Sequence, residues 1–105
     1  MLRRLVADGE RLGVSTIVLY EWWRGPRTEA ELGVQESLVP ARSTCAFGAA
    51  EAALAGDIYR RLHRPRNRGI DIAIASCAMI QHAALWTLNP RDFADIPGLE
   101  LVLTA

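Results

Sequence analysis

The sequence predicts a single α/β domain in which a largely parallel sheet is flanked by helices. Two observations carry that expectation. Short β-branched runs alternate with segments of helical apolar spacing along the 105 residues. One segment, residues 70–82, is apolar on nearly every side and so demands a central, covered position. The whole chain, 1–105, reads as one domain, with no internal repeat or low-complexity tract.

The opening segment, 2–12, places Leu2, Leu5, Val6 and Leu12 at helical spacing, and Gly13 is suited to end that helix. Residues 14–18 (Val-Ser-Thr-Ile-Val) form a β-branched run of the kind that makes a buried strand. A second helix is expected through Leu19, Glu21 and Trp23, ending at Gly25-Pro26. Thr28 stands three residues before Glu31, which is capping-box spacing for a third helix over 28–38, although Gly33 weakens it. A short strand is expected at 43–47. A long helix follows over 49–63, where Ala50, Leu54, Ile58 and Leu62 recur every fourth residue. Residues 64–69 are a polar loop, 70–82 the buried helix, 84–88 a strand, 90–93 a turn or helical cap, and 99–103 the last strand.

Composition narrows the function classes. No stretch approaches the roughly 20 apolar residues of a membrane-spanning helix, and Ala7-Asp8-Gly9-Glu10 follows the basic start where a secretory signal needs an apolar run. The expected location is the cytoplasm. Cys45 and Cys77 lie in apolar stretches without metal-ligand spacing and read as buried thiols. Formal net charge is zero, so any nucleic-acid contact must rest on local charge. All 12 basic residues are arginine, which reports coding bias more than a demand for bidentate phosphate contacts. No P-loop, GxGxxG, HExxH or nucleophile elbow occurs.

Three acids stand out. Asp71 is an ionisable group at the start of an otherwise apolar helix, where it serves either as a partner of the positive helix end or as a site residue. Glu21 and Asp92 each fall just beyond a predicted strand, at the edge where open α/β sheets bind ligands. Each also has an ordinary use, Glu21 as a solvated helix acid and Asp92 as a turn cap. Converging carboxylates repel one another unless a cation or a raised pKa relieves them, and hard oxygen donors suit Mg²⁺ or Mn²⁺.

The order of three motifs, Ser15-Thr16-Ile17-Val18-Leu19-Tyr20-Glu21, Asp71-Ile72-Ala73-Ile74-Ala75-Ser76 and Thr87-Leu88-Asn89-Pro90-Arg91-Asp92-Phe93, with Ile96-Pro97-Gly98-Leu99 behind them, resembles the PIN-domain family. Within it the likeness is to VapC-type toxins of bacterial toxin–antitoxin pairs. It runs from about residue 2 to the end and is sharpest at Asp-x-x-Ile-Ala and Thr-x-Asn-x-x-Asp-Phe. The resemblance implies a Mg²⁺- or Mn²⁺-dependent endoribonuclease, with Glu21, Asp71 and Asp92 as catalytic and metal-site acids and Thr87 and Asn89 supporting them. It also implies an RNA substrate, a VapB-like antitoxin as partner, no membrane association and a homodimer.

Two features depart from the family. Val18 stands where a hydroxyl residue often lies three positions before the Glu. No strand of the Asp-x-Asn or Asp-x-Ser kind opens the 105 residues, so the expected fold is a PIN-like one whose first, central strand is missing. The alternative reading is therefore a catalytically impaired PIN remnant that binds an antitoxin or itself. Arg60, Arg61, His63, Arg64, Arg66 and Arg68 crowd the approach to Asp71, either as a helix end favoured by the dipole or as an RNA-facing rim, for which Arg64, Arg66 and Arg68 are the candidates. Trp22, Trp23 and Trp86 suit core packing or a protein interface better than base stacking, and His82 suits a helix cap.

Overall fold

The computed structural model describes residues 4–8, 11–38, 40 and 44–102, with 4–8, 11–13 and 38 described by their backbone alone. In chain order the elements are strands β1 (Arg4–Asp8) and β2 (Arg11–Gly13), helices α1 (Thr16–Trp23), α2 (Glu29–Leu38), α3 (Ala49–Arg61) and α4 (Gly69–Ile80), strand β3 (Ala84–Thr87), and a 3-10 turn at Pro90–Asp92. The α/β composition is as expected. The sheet is not.

The first correction is the helix expected over 2–12. Residues 4–8 and 11–13 instead pair antiparallel, in a register of Val6 opposite Gly13 and Asp8 opposite Arg11. The part of that expectation at residues 2, 3, 9 and 10 lies outside the described residues. The two residues between the strands are Gly9 and Glu10; a glycine in a two-residue connection is a hairpin signal, and glycine costs a helix interior about 1 kcal/mol relative to alanine. Pairing also satisfies the backbone of β3, since Arg4 to Ala7 face Thr87 to Ala84 in antiparallel register.

A second correction follows for the largely parallel sheet. The three strands run in the order β2-β1-β3, every neighbour antiparallel, with β1 in the middle. Parallel pairing is confined to single bridges, Ser15 with Cys45 and Leu85 with Leu101. These are what remain, among the described residues, of the strands expected at 43–47 and 99–103; residue 43 and residue 103 lie outside them.

The third correction concerns 14–18. Of this run Ser15 is extended and bridges Cys45, and α1 begins at Thr16. Ser15 is buried, holds φ −75° and ψ 156°, and its hydroxyl accepts from the Val18 N–H at 3.2 Å. Three β-branched residues cost a helix a few tenths of a kcal/mol each, whereas a serine cap contributes about 1 kcal/mol. Burial of Val18 and Leu19 tips the balance further. The hydroxyl absent at Val18 is thus supplied for capping by Ser15.

The remaining helices match their expected places. Thr28 and Glu31 form the reciprocal capping box, each backbone N–H donating to the other's side chain at 3.0 and 3.1 Å. The Glu51 carboxylate caps α3 by accepting from Gly48 N–H at 3.1 Å. In α4 seven consecutive residues, Ile72 to Ala78, are buried, and the helix packs against α3 most of all, then α1 and β3. Alanines 73, 75 and 78 let its neighbours approach closely, while the buried Ser76 hydroxyl is satisfied by donating to the Ala73 carbonyl at 2.7 Å. His82 ends the helix at φ +53°: its N–H donates to Met79 O and that of Ala83 to Ala78 O, which is the Schellman arrangement. Val14, Val18, Ile58, Leu85, Phe93 and Ile96 pack around α4 as the core.

Candidate functional site

α4 emerges from the loop 64–69, and its first turn carries Asp71, partly buried. Asn67, at φ +66°, reverses the loop so that Arg68 stands at the helix N-cap. From there the guanidinium reaches the chain that leaves β3. Its Nη1 and Nη2 donate to the two carboxylate oxygens of Asp95 at 2.9 and 2.6 Å, and Nη2 also donates to the Asp92 carbonyl at 2.9 Å.

The turn that bears Asp92 is built from hydrogen bonds one step at a time. Thr87, the last residue of β3, accepts from the Asn89 N–H at 3.1 Å through its hydroxyl. Asn89 O then accepts from Asp92 N–H at 3.0 Å and Pro90 O from Phe93 N–H at 3.1 Å. Phe93 is buried in the core, which anchors the turn while Asp92 itself stays exposed.

Asp71 contributes to the electrostatics of the same guanidinium. The charged form of Arg68 is favoured first by its hydrogen bonds to Asp95 and then by the nearby carboxylates of Asp95, Asp71 and Asp92. Asp95 is in turn held below the ordinary carboxylate range by Arg68. Arg68 thus bonds the backbone of the turn that bears Asp92, while Asp71 and Asp92 act on it through their charge. Glu21 lies on α1, partly buried, on a helix that packs against α4. Among the described residues, no three His, Cys, Asp or Glu side chains form a group that holds an ion.

Arg64 and Arg66 are exposed, as the RNA-facing reading requires, but Arg68 is engaged inside the molecule. Arg60 and Arg61 pair with Asp57 at 3.5 and 3.1 Å on the exposed end of α3. Both cysteines are free thiols, and burial, reinforced by Cys45 and Glu51, pushes the Cys77 thiol up to about 12. That leaves Cys77 inert.

A second surface lies on α1 and α2. The Trp22 ring stacks under the Arg27 guanidinium, 3.6 Å from ring centre to Cζ, and Trp23 Nε1 donates to Gln35 Oε1 at 3.2 Å. Tyr20, Trp23 and Val34 are exposed. Asp95 is a residue that sequence reasoning missed; its one local signal was a second acid three positions after Asp92.

No protein-family model matches the chain. It is similar, at 33% identity over 103 residues, to a protein named Ribonuclease VapC19 in two strains of Mycobacterium tuberculosis; the match covers 95% of this chain and 81% of that relative. No helix among the described residues is long and apolar enough to cross a membrane.

Proposed function

This chain belongs to the VapC-type PIN family, and from that membership we propose that it is a Mg²⁺- or Mn²⁺-dependent endoribonuclease toxin, neutralised by a VapB-like antitoxin. The observation that carries the reading is the match to a VapC ribonuclease along 95% of the chain. The shared electrostatic influence of Asp71 and Asp92 on Arg68 supports it.

The donor set suits the ion. Mg²⁺ keeps several waters and is commonly held by one or two carboxylates together with substrate phosphates, so it does not require a ready-made cage of three side chains. Asp71 and Asp92 would hold it, with Glu21 joining from α1. When bound, the cation activates water and offsets negative charge that develops on a phosphodiester. The chain's own groups do the positioning. Thr87 and Asn89 fix the turn that presents Asp92, and Arg64 and Arg66 draw the RNA backbone toward the acids by exchanging counterions for phosphate contacts.

The second reading is an impaired PIN remnant that acts by binding an antitoxin or its own kind. The enzyme reading takes a further acid from a strand of the Asp-x-Asn kind, which these 105 residues do not contain. For either reading, the exposed Tyr20, Trp23 and Val34 suit an apolar antitoxin segment. A homodimer in the cytoplasm is the working state of both.

The deciding experiment is cleavage of labelled RNA with and without EDTA, by the chain as it stands and by a fusion carrying a family-like strand with Asp. Cleavage that EDTA abolishes and that Asp71→Asn removes without unfolding supports the enzyme. Undiminished cleavage by Asp71→Asn removes that residue from the site. Absence of cleavage from both proteins, with binding of the product of a neighbouring small gene, supports the remnant.

A further inference from the structure

Next to the turn whose Asp92 is proposed to help hold a cation stands another cation, the Arg68 guanidinium. It donates to the Asp92 carbonyl and lies within electrostatic reach of both the Asp71 and Asp92 carboxylates. An uncompensated guanidinium there would oppose the negative potential that draws Mg²⁺ in, since charges at a partly covered site are screened less than in bulk water. Yet the tether is useful. It joins the first turn of α4, which bears Asp71, to the 3-10 turn that bears Asp92, and so fixes the separation of the two acids.

Asp95 resolves the conflict. Its carboxylate meets Arg68 in a two-pronged pair at 2.6 and 2.9 Å. The Arg68 side chain is 20% exposed and that of Asp95 56% exposed, so the acid lies on the solvent side of the guanidinium. On the reading of Asp71 and Asp92 as ion-holding acids, we infer that Asp95 is a positioning residue that neutralises Arg68, so that Arg68 ties the two acid-bearing turns together without competing with the cation they bind.

This assignment differs from that of an ordinary stabilising ion pair in one measurable respect. Asp95→Asn leaves Arg68 with an unbalanced charge beside Asp71 and Asp92, whereas the double variant Arg68→Gln/Asp95→Asn leaves no charge on either side chain. Both variants lose the same ion pair, so both lose comparable thermal stability. Mn²⁺ binding, followed by electron paramagnetic resonance of the free ion, separates them. Affinity is expected to fall about tenfold in Asp95→Asn and to return to within about threefold of the parent in the double variant, where the glutamine amide can still donate to the Asp92 carbonyl. Asp71→Asn serves as the control for the site itself.

If Asp71→Asn binds Mn²⁺ like the parent, the ion-site reading falls and this inference falls with it. If Asp71→Asn weakens binding but the double variant is no better than Asp95→Asn, the charge-balancing role alone is overturned and the pair is merely structural. An unchanged affinity in Asp95→Asn, with the Asp71 control weakened, overturns it equally.

Discussion

Helices α4 and α1 carry Asp71 and Glu21 respectively, and both are rich in β-branched residues, yet only α4 is legible as a helix from its start. In α4 the isoleucines at 70, 72 and 74 are followed by small residues and then a cap, and seven consecutive positions are covered by neighbours. Burial on all sides leaves one solution for such a run. In α1 only Val18 and Leu19 are buried, and the fate of Thr16, Ile17 and Val18 turns on the hydroxyl of Ser15. One helix is determined by what surrounds it, the other by its first residue. Variants that remove each determinant test the contrast.

The largest effect is expected at the buried centre. Ile74 is fully buried in α4, so Ile74→Ala loses both transfer free energy and packing and should cost about 2 to 5 kcal/mol in denaturant unfolding. The same truncation at the exposed Val34 of α2 should cost less than about 0.5 kcal/mol. Equal costs at the two positions would deny that α4 is the core.

Next comes the cap. Ser15→Ala removes the hydroxyl acceptor of the Val18 N–H, which then keeps only its 3.1 Å bond to the Ser15 carbonyl in a buried position, an expected loss of about 1 kcal/mol. Thr28→Ala, at the exposed start of α2, breaks a cap of the same geometry where water can replace it, and should cost nearer 0.5 kcal/mol. If the two losses are the same, burial does not govern the cap and the contrast between α1 and the rest weakens.

These expectations explain which parts of the molecule the sequence revealed. Where a pattern is long or reciprocal, as in the four-residue recurrence of α3 or the Thr28–Glu31 box, local residues suffice and the element lies where it was expected. In the first 18 residues the signals conflict. Helical spacing of leucines competes with a hairpin signal at Gly9, and β-branched propensity competes with a serine cap. The outcome depends on β3 as a pairing partner and on contacts with α4, both distant in sequence. The candidate site divides in the same way. Asp71 and Asp92 were visible as acids in apolar or turn contexts, but their relation to one another depends on Arg68 and Asp95, 27 positions apart, and no local pattern encodes such a pairing.

Gly98 lies in the C-terminal loop that leads to the parallel bridge at Leu101. It adopts φ +82°, and an added Cβ would stand 3.2 Å from the Met79 side-chain end in α4. Gly98→Ala should cost about 1 kcal/mol, most of it backbone strain, because the methionine tip can yield but the left-handed conformation cannot. A cost indistinguishable from zero in thermal unfolding would show that this loop, unlike α4, re-forms around a different backbone.

The smallest effect is the pH dependence of the clamp between α4 and the turn. Asp95 has its pKa lowered in the folded protein by its hydrogen bonds to Arg68, so folding favours the ionised form. The stabilisation is accordingly present above the ordinary carboxylate value of about 4 and is lost as pH falls through the lowered folded value. Because the Asp95 side chain is 56% exposed, solvent and salt screen the pair, and its contribution is expected to stay below about 1 kcal/mol. Unfolding measured from pH 7 down to pH 2 in the parent and in Asp95→Asn should therefore give curves that differ at neutral pH and converge in acid. The gap should shrink in high salt. Curves that stay parallel to pH 2 would mean that protonation of Asp95 leaves the tie between Arg68 and the Asp92 turn intact, the Asp92 carbonyl alone sufficing to hold it.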